Sequence, residues 1–160
     1  LDTIKHYSGT AIYTTNFTIE KGMLKSDRLF ELDLGEVNVI ANVRLNGQPI
    51  GISWVAPHTL DVTSALKEGE NVLVVELTNQ WTNRLIGDEK LPNQTGYRIT
   101  RVDNGFGQKM PTWFRNNEPL PDGPRTTFSS YSFQKPTDAL LPSGLVGPVQ
   151  IKVLKVVEYE

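Results

Sequence analysis

The fold class is decided by residues 39–54, which read VIANVRLNGQPIGISW. Apolar side chains occupy alternate positions on both sides of Asn46-Gly47, first Val39, Ala41, Val43 and Leu45, then Ile50, Ile52 and Trp54. Alternation of this kind is typical of half-buried strands, and both turn residues tolerate the positive φ of a type I′ turn. The stretch therefore predicts a β-hairpin. It also predicts that Trp54 lies in the core rather than on a ligand platform.

Further strands are predicted on both sides of this hairpin. Alternation predicts strands near residues 10–19, 30–34 and 127–133. A further strand is expected near 59–62, and the valine- and isoleucine-rich stretch 149–159, which follows turn-forming residues, predicts the last strand. Val72 to Thr78 is apolar on both faces and is predicted to be a central strand. Between them we expect a single helical turn, capped by Thr63 and stopped by Gly69. No helix longer than a turn or two is predicted, and short strands with closely spaced turns favour an all-β sandwich or barrel.

The sequence changes character between Asn79 and Gly147, where prolines alternate with Gly, Asn and Trp. Regular strands cannot fill such a stretch, but its aromatic content argues for order. We therefore predict one domain over residues 1–160, with a long irregular loop insertion at about 80–146 before the last strand. The chain begins with Leu1 and shows no leader sequence, so we expect a domain excised from a larger protein.

Composition excludes several classes of function. The chain has no cysteine, so a disulfide framework and a thiol nucleophile are both excluded. Sixteen basic and eighteen acidic side chains give a net charge of −2, and neither sign forms a long block, which argues against a nucleic-acid partner. No apolar run approaches the ~20 residues of a membrane helix, so no membrane insertion is expected.

Several motifs resemble a known family. Tyr7-Ser8-Gly9-Thr10-Ala11, Val43-Arg44-Leu45-Asn46-Gly47 and Ser143-Gly144-Leu145-Val146-Gly147-Pro148-Val149 are similar, in the expected order, to the sugar-binding-type jelly-roll domain of glycoside hydrolase family 2 and its relatives. The segments 79–88, NQWTNRLIGD, and 125–128, RTTF, are similar to parts of the C-terminal module of α-L-rhamnosidase-like proteins of family 106. The resemblance spans nearly the whole chain.

This resemblance implies a galactose-binding-like β-sandwich, a jelly roll, attached to a separate catalytic domain of the parent chain. It implies that the chain is an accessory module of a polysaccharide-degrading enzyme and has no catalytic residues of its own. It also implies that the loop from Asn79 to Asp88 can reach toward the carbohydrate. A periplasmic or extracellular location follows from the habit of the family and from no signal in this sequence.

Catalysis within this chain would need two facing carboxyl groups, about 5–5.5 Å apart for retention or about 6.5–9.5 Å for inversion. The irregular region holds five acidic candidates, Asp88, Glu89, Asp103, Glu118 and Asp122. Acidic residues in loops are more often solvated or cap turns, so we expect no catalytic pair here. A small self-contained glycosidase is therefore the least favoured of the functions considered for this sequence.

Carbohydrate binding has better candidates, because sugars stack on aromatic rings while amide, carboxylate and guanidinium groups take their hydroxyls. The candidate residues for a binding site or active-site rim are Asn79, Trp81, Asn83, Arg84, Asp88, Trp113 and Arg115. Two interpretations remain open. The tryptophans could instead cover the end of the sandwich, with Arg84 paired to Asp88 as a buried clasp for the loop, or the chain could be an independent carbohydrate-binding module.

No cofactor is predicted. His6 and His58 are the only histidines and are far apart in sequence, so they form no recognisable zinc motif. Calcium is a candidate for a structural ion, but no Asp-rich loop of regular spacing supports it.

Overall fold

The computed structural model describes residues 4–97, 99–102, 105–108, 110–130 and 133–157, with 99–102 and 105–108 described by their backbone alone. Eleven strands and two short helices occur in these ranges. In chain order they are β1 Thr10–Ile19, β2 Arg28–Asp33, β3 Glu36–Asn38, β4 Ile40–Leu45, β5 Gln48–Ser53, β6 Thr59–Asp61, β7 Gly69–Thr78, α1 Thr82–Glu89, β8 Ile99–Val102, β9 Gly105–Gln108, α2 Thr112–Arg115, β10 Gly144–Gly147 and β11 Gln150–Lys155.

The longest strands form two antiparallel sheets. One sheet has the order β1-β7-β4-β5 and the other β11-β2-β6, while β10 pairs with β3. Strand β7 lies between two partners, since Leu77 is opposite Ala11 of β1 and also opposite Ala41 of β4. The prediction of a central strand at Val72 to Thr78 is therefore confirmed.

Apolar side chains from both sheets meet in one core. Strand β2 contributes Phe30 and Leu32, and β4 and β7 contribute side chains that are 0–4% exposed: Ala41, Val43, Leu45, Leu73, Val75 and Leu77. Burying a side chain of valine size or larger stabilises a fold by about 1.5–3 kcal/mol, so this layer provides most of the hydrophobic stabilisation. The prediction of an all-β sandwich is confirmed.

The hairpin at Asn46-Gly47 is also confirmed. Leu45 pairs with Gln48, and the two turn residues have φ values of 52° and 81°. Positive φ at both positions is the requirement of a type I′ turn.

The prediction for Trp54 is wrong. Trp54 is 69% exposed and Ile52 is 63% exposed, whereas Ser53 is buried. The register between β4 and β5 shifts between Val43 and Arg44, as at a β-bulge. Such a shift changes the face on which later side chains lie. As a result Ile50 packs on the core, while Ile52 and Trp54 point away from it.

The turn after β6 forms, but not with the predicted cap. Ala65 N and Leu66 N both donate to Val62 O, which makes the turn. The hydroxyl of Thr63 instead accepts from Phe30 N at 2.8 Å, and Thr63 N donates to Asp61 Oδ1. Gly69 is the first residue of β7, at φ +83°, rather than the end of a helix.

The strand predicted near 127–133 is absent from residues 127–130, and positions 131 and 132 lie outside the described residues. Its backbone donors have another partner, because Thr126 N and Thr127 N both donate to Asp88 Oδ2. The region predicted to be irregular contains the eight-residue helix α1 and the β8–β9 hairpin.

The chain forms two compact units. Ser8–Gln80 and Pro142–Glu160 make the first, here called the sandwich unit, and Trp81–Leu141 with the segment up to Tyr7 makes the second, here called the loop unit. The loop unit covers most of the predicted insertion at 80–146, and a single domain over 1–160 stays a prediction. Within the described residues, no helix combines the length and apolar character needed to cross a membrane.

Candidate functional site

Helix α1 organises the loop unit. It buries one face, on which Asn83, Ile86, Gly87 and Asp88 lie. A side chain at Gly87 would approach His6 Cγ to 2.7 Å, so the helix packs closely on the His6 ring. The same ring bonds to the helix through Nδ1, 2.9 Å from Asn83 O. The segment around His6 is thus fixed to α1.

Among the acidic residues of this unit that the structure describes, Asp88 makes the most side-chain hydrogen bonds. Its Oδ1 lies 2.5 Å from Arg84 Nη2, one helical turn earlier. Its Oδ2 accepts from Thr126 N, Thr127 N and Thr127 Oγ1 at 3.0, 2.8 and 2.7 Å. The Asp88 side chain is 3% exposed, and a buried carboxylate is tolerated only when paired and hydrogen-bonded in this way. Asp88 thus links helix α1 to Thr126 and Thr127 through buried hydrogen bonds, which is the arrangement called a buried clasp above.

The Asn83 side chain also forms hydrogen bonds within the loop unit. Its Nδ2 donates to Leu141 O and its Oδ1 accepts from Leu141 N, both at 2.9 Å. The amide therefore bonds to both backbone groups of Leu141, and because Asn83 is only 5% exposed it is not accessible to a sugar hydroxyl.

The aromatic side chains of this unit form a cluster. Phe128 lies against Tyr97 and Trp113, with ring centroids 5.5 and 5.0 Å away and nearly perpendicular planes. The Trp113 indole donates from Nε1 to Thr95 O at 2.7 Å. Trp113 therefore lies in the packing of the loop unit and is only half-buried.

The remaining predicted site residues lie elsewhere. Trp81 is 63% exposed just before α1, and Arg115 is exposed at the end of α2. Asn79 belongs to the sandwich unit, where its Oδ1 accepts from Gly9 N and its Nδ2 donates to Ser143 Oγ. Asn79 thus connects the start of β1 to the segment before β10.

A pocket of about 250 Å³ opens in the loop unit. Its walls come from α1, from the turn that follows α1 and from the segment 125–129. The lining residues are Leu85, Asp88, Glu89, Asn93, Thr95, Tyr97, Arg125, Thr127, Phe128 and Ser129.

Glu89 and Arg125 form an ion pair in this pocket. Arg125 is held in place because Nε and Nη2 both donate to Leu91 O, at 3.0 and 2.8 Å. Its Nη1 donates to Glu89 Oε1 at 3.2 Å. The Arg125 side chain is 14% exposed and that of Glu89 33% exposed, so the arginine lies deeper and the carboxylate lies nearer to solvent.

Most of this pocket was missed by sequence reasoning. Of its lining residues, only Asp88 is among the predicted binding residues, because Glu89 and Arg125 are 36 positions apart and no local motif relates them. One signal was present. The segment Arg125 to Phe128 is part of the resemblance to the family 106 module, and it forms one wall of the pocket.

The other acidic candidates do not meet in the pocket. Glu118 accepts from Asn116 Nδ2 at 3.0 Å, Asp122 is exposed, and neither lines the pocket. Asp103 lies outside the described residues.

A family model described as glycosyl hydrolase 2 galactose-binding domain-like matches residues 3–116. The chain belongs to this family. The match covers the sandwich strands β1 to β7 together with α1 and α2 of the loop unit. The resemblance predicted from sequence is therefore confirmed, and the sandwich is a galactose-binding-like domain.

Two longer proteins are similar to this chain over almost its whole length. One, from Formosa agariphila, carries the name "Putative beta-glucuronidase" and is 49% identical over 151 residues, which is 94% of this chain and 12% of that protein. The other is the solved structure of a rhamnosidase from Novosphingobium sp. PP1Y, with 31% identity, a TM-score of 0.68 and coverage of 94% of this chain and 11% of that one. This chain thus spans about one eighth or less of each relative.

Proposed function

We propose that this galactose-binding-like domain is a non-catalytic module of a larger glycoside hydrolase. In this role the sandwich unit supports a catalytic domain elsewhere in the parent chain, and the loop unit contributes contacts to carbohydrate. The observation that carries the proposal is the share of the relatives that the domain matches, 12% and 11%, in proteins named as a glucuronidase and a rhamnosidase.

The chemistry of the loop unit supports this proposal. A glycosidase needs one carboxyl group that donates a proton and a second that acts as base or nucleophile. Asp88 is committed to four hydrogen bonds, and Glu89 is paired with Arg125. Both carboxylates are therefore already occupied by cationic and hydrogen-bonding partners within the loop unit.

Hydrolysis by the chain alone tests this proposal. The purified 160-residue protein is incubated with aryl β-glucuronides and aryl α-rhamnosides, and release of the aryl group is followed. We expect the rate of the buffer blank. Turnover above the blank that disappears in Asp88→Asn or Glu118→Gln would place catalysis in this chain and overturn the proposal.

An independent carbohydrate-binding module is the second candidate, and the exposure of Trp81 favours it. An indole that is 63% exposed offers a flat apolar face to a sugar ring. Titration against a panel of polysaccharides separates the two functions. An independent module loses measurable affinity in Trp81→Ala, whereas a supporting module binds none of the polysaccharides. Trp113→Ala is a weaker probe, because its indole N–H bonds to Thr95 O and its loss disturbs the loop unit.

We further propose that the module works without a metal or organic cofactor and acts in the periplasm or outside the cell, where polymeric substrates are found. Metal analysis of the purified protein tests the first statement. Fractionation of the source cells, followed by detection of the parent protein, tests the second.

A further inference from the structure

We propose that the pocket of the loop unit is a subsite for one neutral sugar residue, which Glu89 recognises through two adjacent hydroxyl groups. This inference rests on the proposed function, because it gives the ligand class of the carbohydrate contact that the loop unit contributes. It involves residues other than the predicted tryptophans.

The size of the pocket limits the ligand. Its volume of about 250 Å³ lies just below the range of roughly 300–1,000 Å³ that holds drug-sized molecules. A single pyranose ring fits such a space, whereas a disaccharide would have to extend out of it. The Glu89 side chain of the lining is 33% exposed to solvent, so a chain of sugars could continue outward from a ring bound beside it.

Glu89 is held ready to accept hydrogen bonds. Its Oε1 is held by Arg125, whose own position is fixed by two bonds to Leu91 O. Within the described ranges, the bond to Arg125 is the one hydrogen bond made by the Glu89 side chain, so Oε2 and the second lone pair of Oε1 are available. A carboxylate has about four acceptor sites, and two adjacent hydroxyls can donate to it together. Because the carboxylate is charged, such bonds are roughly twice as strong as neutral ones.

The other walls of the pocket suit a sugar ring. Tyr97 and Phe128 line it as a fixed pair of rings, and Leu85 adds an aliphatic side chain. These groups can contact the C–H bonds of a pyranose. A polar rim beside an apolar wall is the usual composition of a small-molecule site.

The charges of the pocket favour a neutral ligand. Glu89 is compensated by Arg125, and Asp88 by Arg84, so the two ion pairs leave no net charge. Of the two charged groups of the Glu89–Arg125 pair, Arg125 lies deeper at 14% exposure, and the Glu89 carboxylate is more accessible at 33%. A uronic acid would bring a second carboxylate into the same pocket as Glu89, and two negative charges that lie this close together repel each other. A neutral hexose or deoxyhexose meets no such repulsion.

The test is a titration of the purified 160-residue chain with methyl glycosides, followed by backbone amide chemical shifts in NMR. The probes are methyl glucoside, galactoside, mannoside and rhamnoside, together with methyl glucuronide as the anionic partner of the glucoside. At least one neutral glycoside is expected to bind with a Kd of about 1 mM and to shift amides near residues 89–97 and 125–129. Methyl glucuronide is expected to bind at least about tenfold more weakly than the best neutral probe.

Glu89→Gln is the informative variant and Glu118→Gln the matched control, since Glu118 belongs to the same unit but does not line the pocket. We expect Glu89→Gln to weaken binding by about tenfold or more and Glu118→Gln to leave it unchanged. Thermal unfolding of both variants checks that the fold is intact. If Glu89→Gln does not fold, the chemical shift changes of the unmodified protein still show whether a glycoside binds in the pocket.

Three results would overturn the inference: no shifts near the pocket with any neutral glycoside, equal affinity for the neutral probe and methyl glucuronide, or equal affinity of the two glutamine variants. None of these results would contradict the proposed non-catalytic role, because that role is tested by the hydrolysis assay. Conversely, turnover by the chain would end that role whatever the pocket binds.

Discussion

Asp88 Oδ1 lies 2.5 Å from Arg84 Nη2, one turn apart in helix α1, and the other oxygen of Asp88 fixes the segment at Thr126 and Thr127. Two residues near in sequence therefore form the ion pair, but its structural effect reaches 38 positions along the chain. The stability of the loop unit should depend on this carboxylate.

Asp88→Asn tests that dependence. The amide has one acceptor oxygen where four donors require two, and it leaves the Arg84 guanidinium without its charged partner. Because the Arg84 side chain is 25% exposed and keeps some contact with solvent, this loss costs about 1–3 kcal/mol. We expect the free energy of unfolding from urea denaturation to fall by that order. Asp122→Asn, an exposed acid of the same unit, is the control, and equal losses in the two variants would contradict the assignment.

Gly35→Ala should destabilise the sandwich unit more than Gly47→Ala. Both glycines have positive φ, +65° and +81°, so each alanine suffers a backbone strain of about 1–2 kcal/mol. At Gly35 the new Cβ would also lie 2.4 Å from Gly147 C, whereas nothing lies within 4 Å at Gly47. Overpacking adds about 1–3 kcal/mol, which thermal unfolding can resolve. Equal melting temperatures for the two variants would contradict this prediction, because they would mean that the backbone at Gly147 moves away from the new Cβ without loss of stability.

Asn71→Ala should be among the most damaging polar substitutions of the sandwich unit. Asn71 is fully buried and bonds to Lys67 N, Lys67 O, Gly69 O and Asn46 Nδ2. Leaving such groups unpaired costs about 1–3 kcal/mol each, so we expect a loss of about 3 kcal/mol in the free energy of unfolding. Asn16→Ala, an exposed residue bonded to Glu70, should cost less than about 0.5 kcal/mol. A loss at Asn71 as small as the loss at Asn16 would refute this account.

The ion pair between Asp33 and Lys152 should appear in the pH dependence of Asp33. Lys152 Nζ lies 2.6 Å from Asp33 Oδ2, and this hydrogen bond, with a further one from Gly35 N, holds the pKa of Asp33 below its usual value. Because the pKa is lower in the folded state, the stabilisation is present above the unfolded pKa of about 3.9 and is lost as the pH falls through the folded value.

In Lys152→Gln the pKa of Asp33 should rise toward its ordinary value. Carbon-13 NMR of the carboxyl groups measures it. Asp61 is the internal control, because hydrogen bonds from Thr63 lower its pKa and do not involve Lys152. An Asp33 pKa that is the same with and without Lys152 would show that the ammonium group has no influence.

Much of the sandwich could be predicted because local rules determine it. The Asn46-Gly47 turn needs positive φ at two positions, and the strands β2 and β4 alternate between buried positions and positions that are partly or fully exposed. Trp54 was misplaced because a change of register at Val43 and Arg44 leaves no mark in the hydrophobic pattern.

The candidate site was harder to predict. The helical pair Arg84 and Asp88 was recognised as an alternative because its partners are four residues apart. Glu89 and Arg125 were not paired, since their contact depends on how the loop unit folds back on α1.

The sequence by itself determined the all-β class, the hairpin, the central strand and the family, because each of these rests on local backbone preferences or on motifs in a fixed order. Only the tertiary structure decided the face on which Trp54 lies, the commitment of Asp88 to four donors and the pocket around Glu89. The physical reason is that these depend on contacts between residues far apart in the chain, whose distances no local pattern encodes.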